Sequence, residues 1–209
     1  MKGKFITFEG SEGCGKSTQS RMLYEHLKRQ GFRVLYLREP GGTRISEKVR
    51  KILLSPQNHI SPLCETLLYM AARAQIVEEI IRPALAQGKI VICDRFLDST
   101  LAYQGYGLGM DIRTIKYIGK FSSAGIKPGL TILLDLPVKD GLKYRHLTCD
   151  RIERRPFNYH LRVRKGYLRL AAGEPGRIKI VKVEKDKMAT QDKIRGIVKN
   201  VLSRDQRPG

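Results

Sequence analysis

The stretch FEGSEGCGKST, residues 8–18, constrains this chain more than any other part of it. Gly10, Gly15, Lys16 and Ser17 complete the spacing G-x-x-x-x-G-K-S between an apolar run, KFITFE (4–9), and an amphipathic stretch over about 16–30. A strand that enters such a loop and leaves it as a helix lets backbone N–H groups converge on a polyphosphate. Lys16 then reaches the β- and γ-phosphates, Ser17 offers its hydroxyl to Mg²⁺, and the helix presents its positive end. Gly10, Ser11, Glu12, Gly13, Cys14, Gly15, Lys16, Ser17 and Thr18 are therefore the candidate ATP-binding loop. Glu12 is the oddity. It puts a carboxylate into a cradle for anions, with no Arg or Lys ahead of Lys16.

Beyond this loop, short apolar runs alternate with helical spacing. RVLYLRE (33–39), KIVICD (89–94), LTILLDL (130–136) and RIKIVKV (177–183) read as strands, some of them apolar enough for a sheet covered on both faces. TRISEKVRKILL (43–54) has helical spacing, and Ser61 and Pro62 cap and open a long helix to about residue 87 that Pro83 bends. Further helices begin near Ser99 and Asp111, and a last one spans about 190–203. The alternation predicts an α/β fold: a doubly wound, five-stranded parallel sheet with helices on both faces. At 209 residues this is one domain, 1–209, with a small lid at about 143–157. Ligands of such folds gather beyond the carboxyl ends of the strands, where Glu9, Glu39, Asp94 and Asp135 fall.

Charge narrows the choice less cleanly. The 40 Lys and Arg against 20 Asp and Glu leave a net charge of +20. That fits a nucleic-acid binder, or a solvated surface with a local site for a small anion. Residues 143–169 carry nine basic side chains, Arg145, Arg154, Arg162 and Arg164 among them, and the rest of the excess forms no stripe. No zinc finger, RRM signature or basic zipper accompanies it, so a nucleic-acid partner is disfavoured. Cys14, Cys64, Cys93 and Cys149 form no C-x-x-C or Cys/His cluster, which argues against zinc and a disulfide framework. Cys64 and Cys93 read as small core residues. No run approaches the roughly 18 apolar residues of a membrane span, so a soluble cytoplasmic protein is expected.

REPGGT (38–43), LLYMAARAQ (67–75), DRFLDSTLAYQGYG (94–107), LLDLPV (133–138) and DRIE (150–153) follow the glycine loop in an order that covers essentially the whole chain. That series resembles the thymidylate kinases, the ATP:dTMP phosphotransferases. The resemblance implies conversion of dTMP and ATP to dTDP and ADP with Mg²⁺, in dTTP biosynthesis, by a homodimer. It also implies roles. Arg95 holds the acceptor phosphate near the donor, with Arg50 as a second contact, and Asp94 joins Ser17 in placing the metal. Tyr69 stacks on the thymine and Arg73 bonds its O4; Thr100 and Gln104 meet the base, Ser99 lies near the phosphate, and Tyr103 excludes a ribose 2′-hydroxyl. Glu39, Pro40 and Gly41 shape the opposite wall.

The same resemblance turns Glu12 away from the ATP phosphates, toward the acceptor sugar. Gly13 stands where one subclass carries a catalytic Arg, which implies the bacterial-type subclass that supplies cations from the lid. Arg151 is the first candidate for that cation and Arg155 the second, so the implied catalytic set is Lys16, Arg95, Glu12, Arg151 and Arg155. Two rival readings are another nucleoside monophosphate kinase with a different base pocket and a basic P-loop protein acting on nucleic acid. A degenerate kinase serving as a structural subunit is a third, but every expected catalytic position is filled.

Overall fold

The fold was obtained as a computed structural model, which describes residues 3–144 and 150–203. Arg145 and Cys149 lie outside the described residues. Five parallel strands form one sheet in the order β2-β3-β1-β4-β5: β1 (Lys4–Gly10), β2 (Val34–Arg38), β3 (Ile90–Asp94), β4 (Leu130–Asp135) and β5 (Ile178–Lys182). From β1 the chain departs to one side for β2 and β3, then crosses to the other for β4 and β5. Loops therefore diverge above β1 and leave a crevice at the carboxyl edge. Register sets what meets there, since Phe8 lies beside Asp94 and Gly10 beside Leu134.

Side-chain alternation along β1 divides the core. Ile6 and Phe8 face α1 (Lys16–Arg29) and α9 (Lys187–Ser203), packing with Leu23, Ile92, Ile132, Ile194 and Val198. Phe5 faces the opposite layer with Val91, Cys93 and Phe96. Each fully buried side chain of this kind contributes about 1.5–3 kcal/mol. The opposite layer comprises α2 (Arg44–Leu54), α3 (Pro62–Ile76), α4 (Arg82–Ala86), α5 (Leu97–Thr100), α6 (Ile112–Ser122) and α8 (Phe157–Gly173). A one-turn α7 (Val138–Gly141) follows β4.

Three local expectations need correction. The long helix from Ser61 does not simply bend at Pro83: a π-helical turn, Val77–Ile81, separates α3 from α4. Pro83 has no N–H for the carbonyl four residues back and its ring crowds that carbonyl, so the irregularity falls in the turn just before it. The helix after Asp94 starts at Leu97 and turns π-helical over Leu101–Gly107. Cys64 is not a core residue; it sits on the exposed face of α3 beside Leu63 and Leu67, whereas Cys93 is buried.

Candidate active site

A cavity of about 1080 Å³ opens at the carboxyl edge of the sheet. One end is the glycine loop. Gly10, Gly13 and Gly15 all have positive φ, a region open to glycine at little cost. Gly13 is doubly forced, because a Cβ there would lie 2.0 Å from the Gly141 carbonyl oxygen at the end of α7. Lys16 is buried, its Nζ donating to the Ser11 carbonyl at 2.7 Å. Glu12, Gly13, Cys14, Gly15, Lys16, Ser17 and Thr18 line the cavity, while Gly10 and Ser11 are buried outside its lining. Leu136, Tyr144, Val183, Lys185 and Lys187 wall the far side of this end.

Glu12 turns away from this loop. Its Oε1 accepts from Arg95 Nη2 at 2.8 Å and from the Tyr103 hydroxyl at 2.7 Å. Burial pushes the carboxyl up, but Arg95, Lys16 and the Tyr103 hydroxyl outweigh it and hold it down at about 2. Glu12 is thus a fixed anion that aims Arg95. The Arg95 backbone is strained, with φ of 73°. Glu9 stabilises it from below: Glu9 Oε1 accepts from the Phe96 and Ser99 amides, and Oε2 from the Ser99 and Tyr167 hydroxyls. Burial, then the nearby Asp98, raise the Glu9 carboxyl from 4.5 to about 7.

The opposite end is built from α2, α3 and α5. Arg73, 2% exposed, donates from Nε to Glu39 Oε2 at 2.9 Å and from Nη2 to Thr100 Oγ1 at 3.1 Å. Burial raises the Glu39 carboxyl, with Arg73 opposing. Breaking one partner of such a buried pair costs about 3–5 kcal/mol. Arg50 donates to the Pro40 carbonyl at 3.0 Å, and the Glu39–Pro40 bond is cis. Arg50, Tyr69, Arg73, Arg95, Ser99, Thr100, Tyr103 and Gln104 all line this end with Glu39 and Pro40. The residues expected to hold an acceptor nucleotide are therefore gathered on one wall.

Between the two ends, Ser17 Oγ donates to Asp94 Oδ2, while Asp94 Oδ1 is buried with no hydrogen-bond partner. Two oxygen-bearing side chains thus meet at the base of the phosphate loop, though the described residues contain no cluster of three or more His, Cys, Asp or Glu.

The arginines of 143–157 expected to serve as cations have protein partners in this structure. Neither Arg151 nor Arg155 lines the cavity. Both guanidinium groups turn instead onto one buried carboxylate of α3, Glu65 Oε2, at 2.5 and 2.6 Å. Together with Arg154, both also border a separate shallow cleft that His59 and Ser61 help to line. The basic run has protein partners too: Lys143 pairs with Asp140, Arg162 donates to the Gly107 carbonyl, and Arg164 forks onto Asp135.

Sequence reasoning placed Glu9 at a strand end without a partner, and it passed over Glu65 and Tyr167. Glu65 carried a readable signal, since Glu65, Tyr69 and Arg73 stand at successive four-residue steps on one helix face. Tyr167 carried none: its partner Glu9 lies 158 residues away.

Comparison with known proteins agrees with this geometry. Residues 8–194 match the family model described as thymidylate kinase. A thymidylate kinase of Thermoanaerobacter sp. (strain X514) is 46% identical over 203 residues, 97% of this chain and 100% of that protein. One from Geotalea daltonii is 51% identical over 189 residues, covering 86% and 88% of the two chains. The crystal structure of thymidylate kinase from Ehrlichia chaffeensis superposes with a TM-score of 0.79 at 33% identity, over 95% of this chain and 100% of that one. Agreement over nearly the full length, in both sequence and fold, means that this chain belongs to the thymidylate kinase family.

Proposed function

We propose that this chain transfers the γ-phosphoryl group of ATP to dTMP, giving ADP and dTDP for dTTP synthesis in the cytoplasm. One observation carries the reading: a single cavity joins the phosphate loop at Lys16 to a nucleotide-sized wall at Tyr69, Arg73, Thr100 and Gln104, with Arg95 between them. Phosphoryl transfer asks mainly for positioning and charge neutralisation. Loop amides and Lys16 hold the ATP phosphates, while Arg95 and Arg50 draw the dTMP phosphate toward them. Glu12 keeps the Arg95 fork aimed, and Tyr69 covers the base face while Arg73, Thr100 and Gln104 meet its edge. The Tyr103 ring, 4.8 Å beneath the Arg95 guanidinium, fills the space a ribose 2′-hydroxyl needs.

Ser17 and Asp94 fit Mg²⁺. Their oxygens are the hard donors that this ion takes, and the unpartnered Asp94 Oδ1 has lone pairs to offer a metal-bound water. A divalent ion held there would supply positive charge to the donor phosphates. Segment 143–157 is read as the lid. No helix among the described residues is long and apolar enough to cross a membrane.

The working unit is a homodimer. Ile45 and Ile52 on α2, Leu63 and Leu67 on α3, and Tyr117 and Phe121 on α6 are exposed large apolar side chains, the last two 80% and 86% exposed. Packed helices carrying such side chains fit a second copy. A coupled assay with dTMP, dUMP, AMP, CMP and GMP tests the activity. Release of ADP with dTMP well above the rest supports it; none with dTMP overturns it.

A further inference from the structure

Glu65 is fully buried, yet it takes three hydrogen bonds from charged or polar side chains of two other segments. Its Oε2 accepts from Arg151 and Arg155, and its Oε1 accepts from Gln104 Nε2 at 2.7 Å. Around this carboxylate the segment from Asp150 to Arg155 is tied down again. The Arg151 amide donates to the Leu54 carbonyl at 3.1 Å, and Arg151 Nε donates to the Leu53 carbonyl at 2.9 Å. Arg155 lies over the Tyr159 ring and donates to its hydroxyl at 2.6 Å, and that hydroxyl in turn reaches the Tyr103 carbonyl.

The pattern of facing is as informative as the bonds. Arg151 and Arg155 point away from the cavity, whereas Asp150, Ile152 and Glu153, between and beside them, form part of its wall. Asp150 Oδ1 accepts from the Ile152 and Glu153 amides, so this short turn is held together by its own side chain. Pinning its two arginines sets the position of Ile152 over the acceptor end.

We propose that Glu65 is a positioning residue, the seat on which the cavity's roof is docked, with Arg151 and Arg155 as its pins rather than as the cations at the transferring phosphate. Gln104 shares the same carboxylate, so the base pocket and the roof are coupled through one group. Two guanidinium cations share one anion there, and neither can be left without it at low cost in so buried a place. This rests on the phosphotransferase reading above, and the parent protein's dTMP-dependent ADP release checks that reading separately.

The test compares Glu65→Gln, Arg151→Gln and the double variant with the parent. If Glu65 acts through the roof, each single change lowers kcat/KM for dTMP by about 10–100-fold, the usual cost of losing a group that orients others. The double variant should then lose no more than about threefold beyond the worse single, because both changes remove one interaction. Hydrogen exchange at the Arg151 amide, which reads docking onto Leu54 directly, should quicken about tenfold in Glu65→Gln. Losses that multiply in the double variant, or an unchanged Arg151 amide, would overturn the proposal while leaving the parent's activity intact. Should Glu65→Gln fail to fold, Arg151→Gln with Arg155→Gln carries the test: faster exchange at Ile152 and Glu153 supports the proposal, and parent-like exchange overturns it.

Discussion

The two ends of the cavity hold anions by different means. The phosphate loop does it with backbone amides, one lysine and a helix end, all supplied within nine consecutive residues, 10–18. The acceptor end uses side chains from several elements, each aimed by a partner: Arg95 by Glu12, Arg73 by Glu39 and Thr100, Gln104 by Glu65. Amides in a tight loop are already pre-organised, so that end needs no carboxylate to fix it. Guanidinium groups on long stems do need one. This resolves the oddity of Glu12, which lies in the loop's sequence but serves the other end of the cavity.

The contrast can be broken in a graded series. Lys16→Ala should have the largest effect, lowering kcat by about 10³, or about 4 kcal/mol, as loss of a positioned donor to developing charge does. It should leave thermal stability near the parent's, which a melting curve checks.

Removing an acceptor-end partner should instead cost stability as well as binding. Glu39→Gln is expected to lose about 3 kcal/mol in denaturant unfolding, because Arg73 is left buried and uncompensated. Its KM for dTMP should rise, with that for ATP little changed.

Glu9 gives a pH handle of comparable or smaller size. Its carboxyl is raised in the fold from 4.5 to about 7. The folded state therefore binds the proton more tightly, and stability present below about 4.5 is lost as pH rises through 7, by no more than about 3 kcal/mol. Unfolding midpoints between pH 4.5 and 8 should show that fall, and Glu9→Gln should flatten it.

Gly13→Arg asks whether the donor loop can host the cation that another subclass carries. With φ of 70° and the Gly141 oxygen 2.0 Å from a built Cβ, it should cost about 2 kcal/mol and add no activity. A faster variant would show that the loop yields. Tyr103→Phe should have the smallest effect, about 1 kcal/mol in dTMP binding, from the lost bond to Glu12. Selection for deoxyribose should persist, since the ring supplies it; a large gain with UMP would contradict the steric account.

The same contrast explains what could be read before any coordinates. The phosphate loop and the five strands were legible, because a contiguous motif and runs of apolar residues encode them, whereas the gathering of Arg50, Tyr69, Arg73 and Arg95 was implied by the family resemblance alone. The pairings were not. Arg73 meets Glu39 across 34 residues, Arg95 meets Glu12 across 83, and Arg155 meets Glu65 across 90. Nothing local distinguishes an arginine that will face a phosphate from one that will face a carboxylate. Hence Arg151 and Arg155 were assigned to the transferring phosphate, though both side chains turn to α3. The π-helical turns were equally hidden, since their apolar spacing over one turn looks like that of an α-helix.

Calorimetric titration of dTMP into the protein, with and without Arg95→Ala, tests the central claim most directly. The account predicts one dTMP per chain in the absence of ATP, with binding weakened at least about tenfold by the substitution. Heat of binding for ATP but none for dTMP would contradict it.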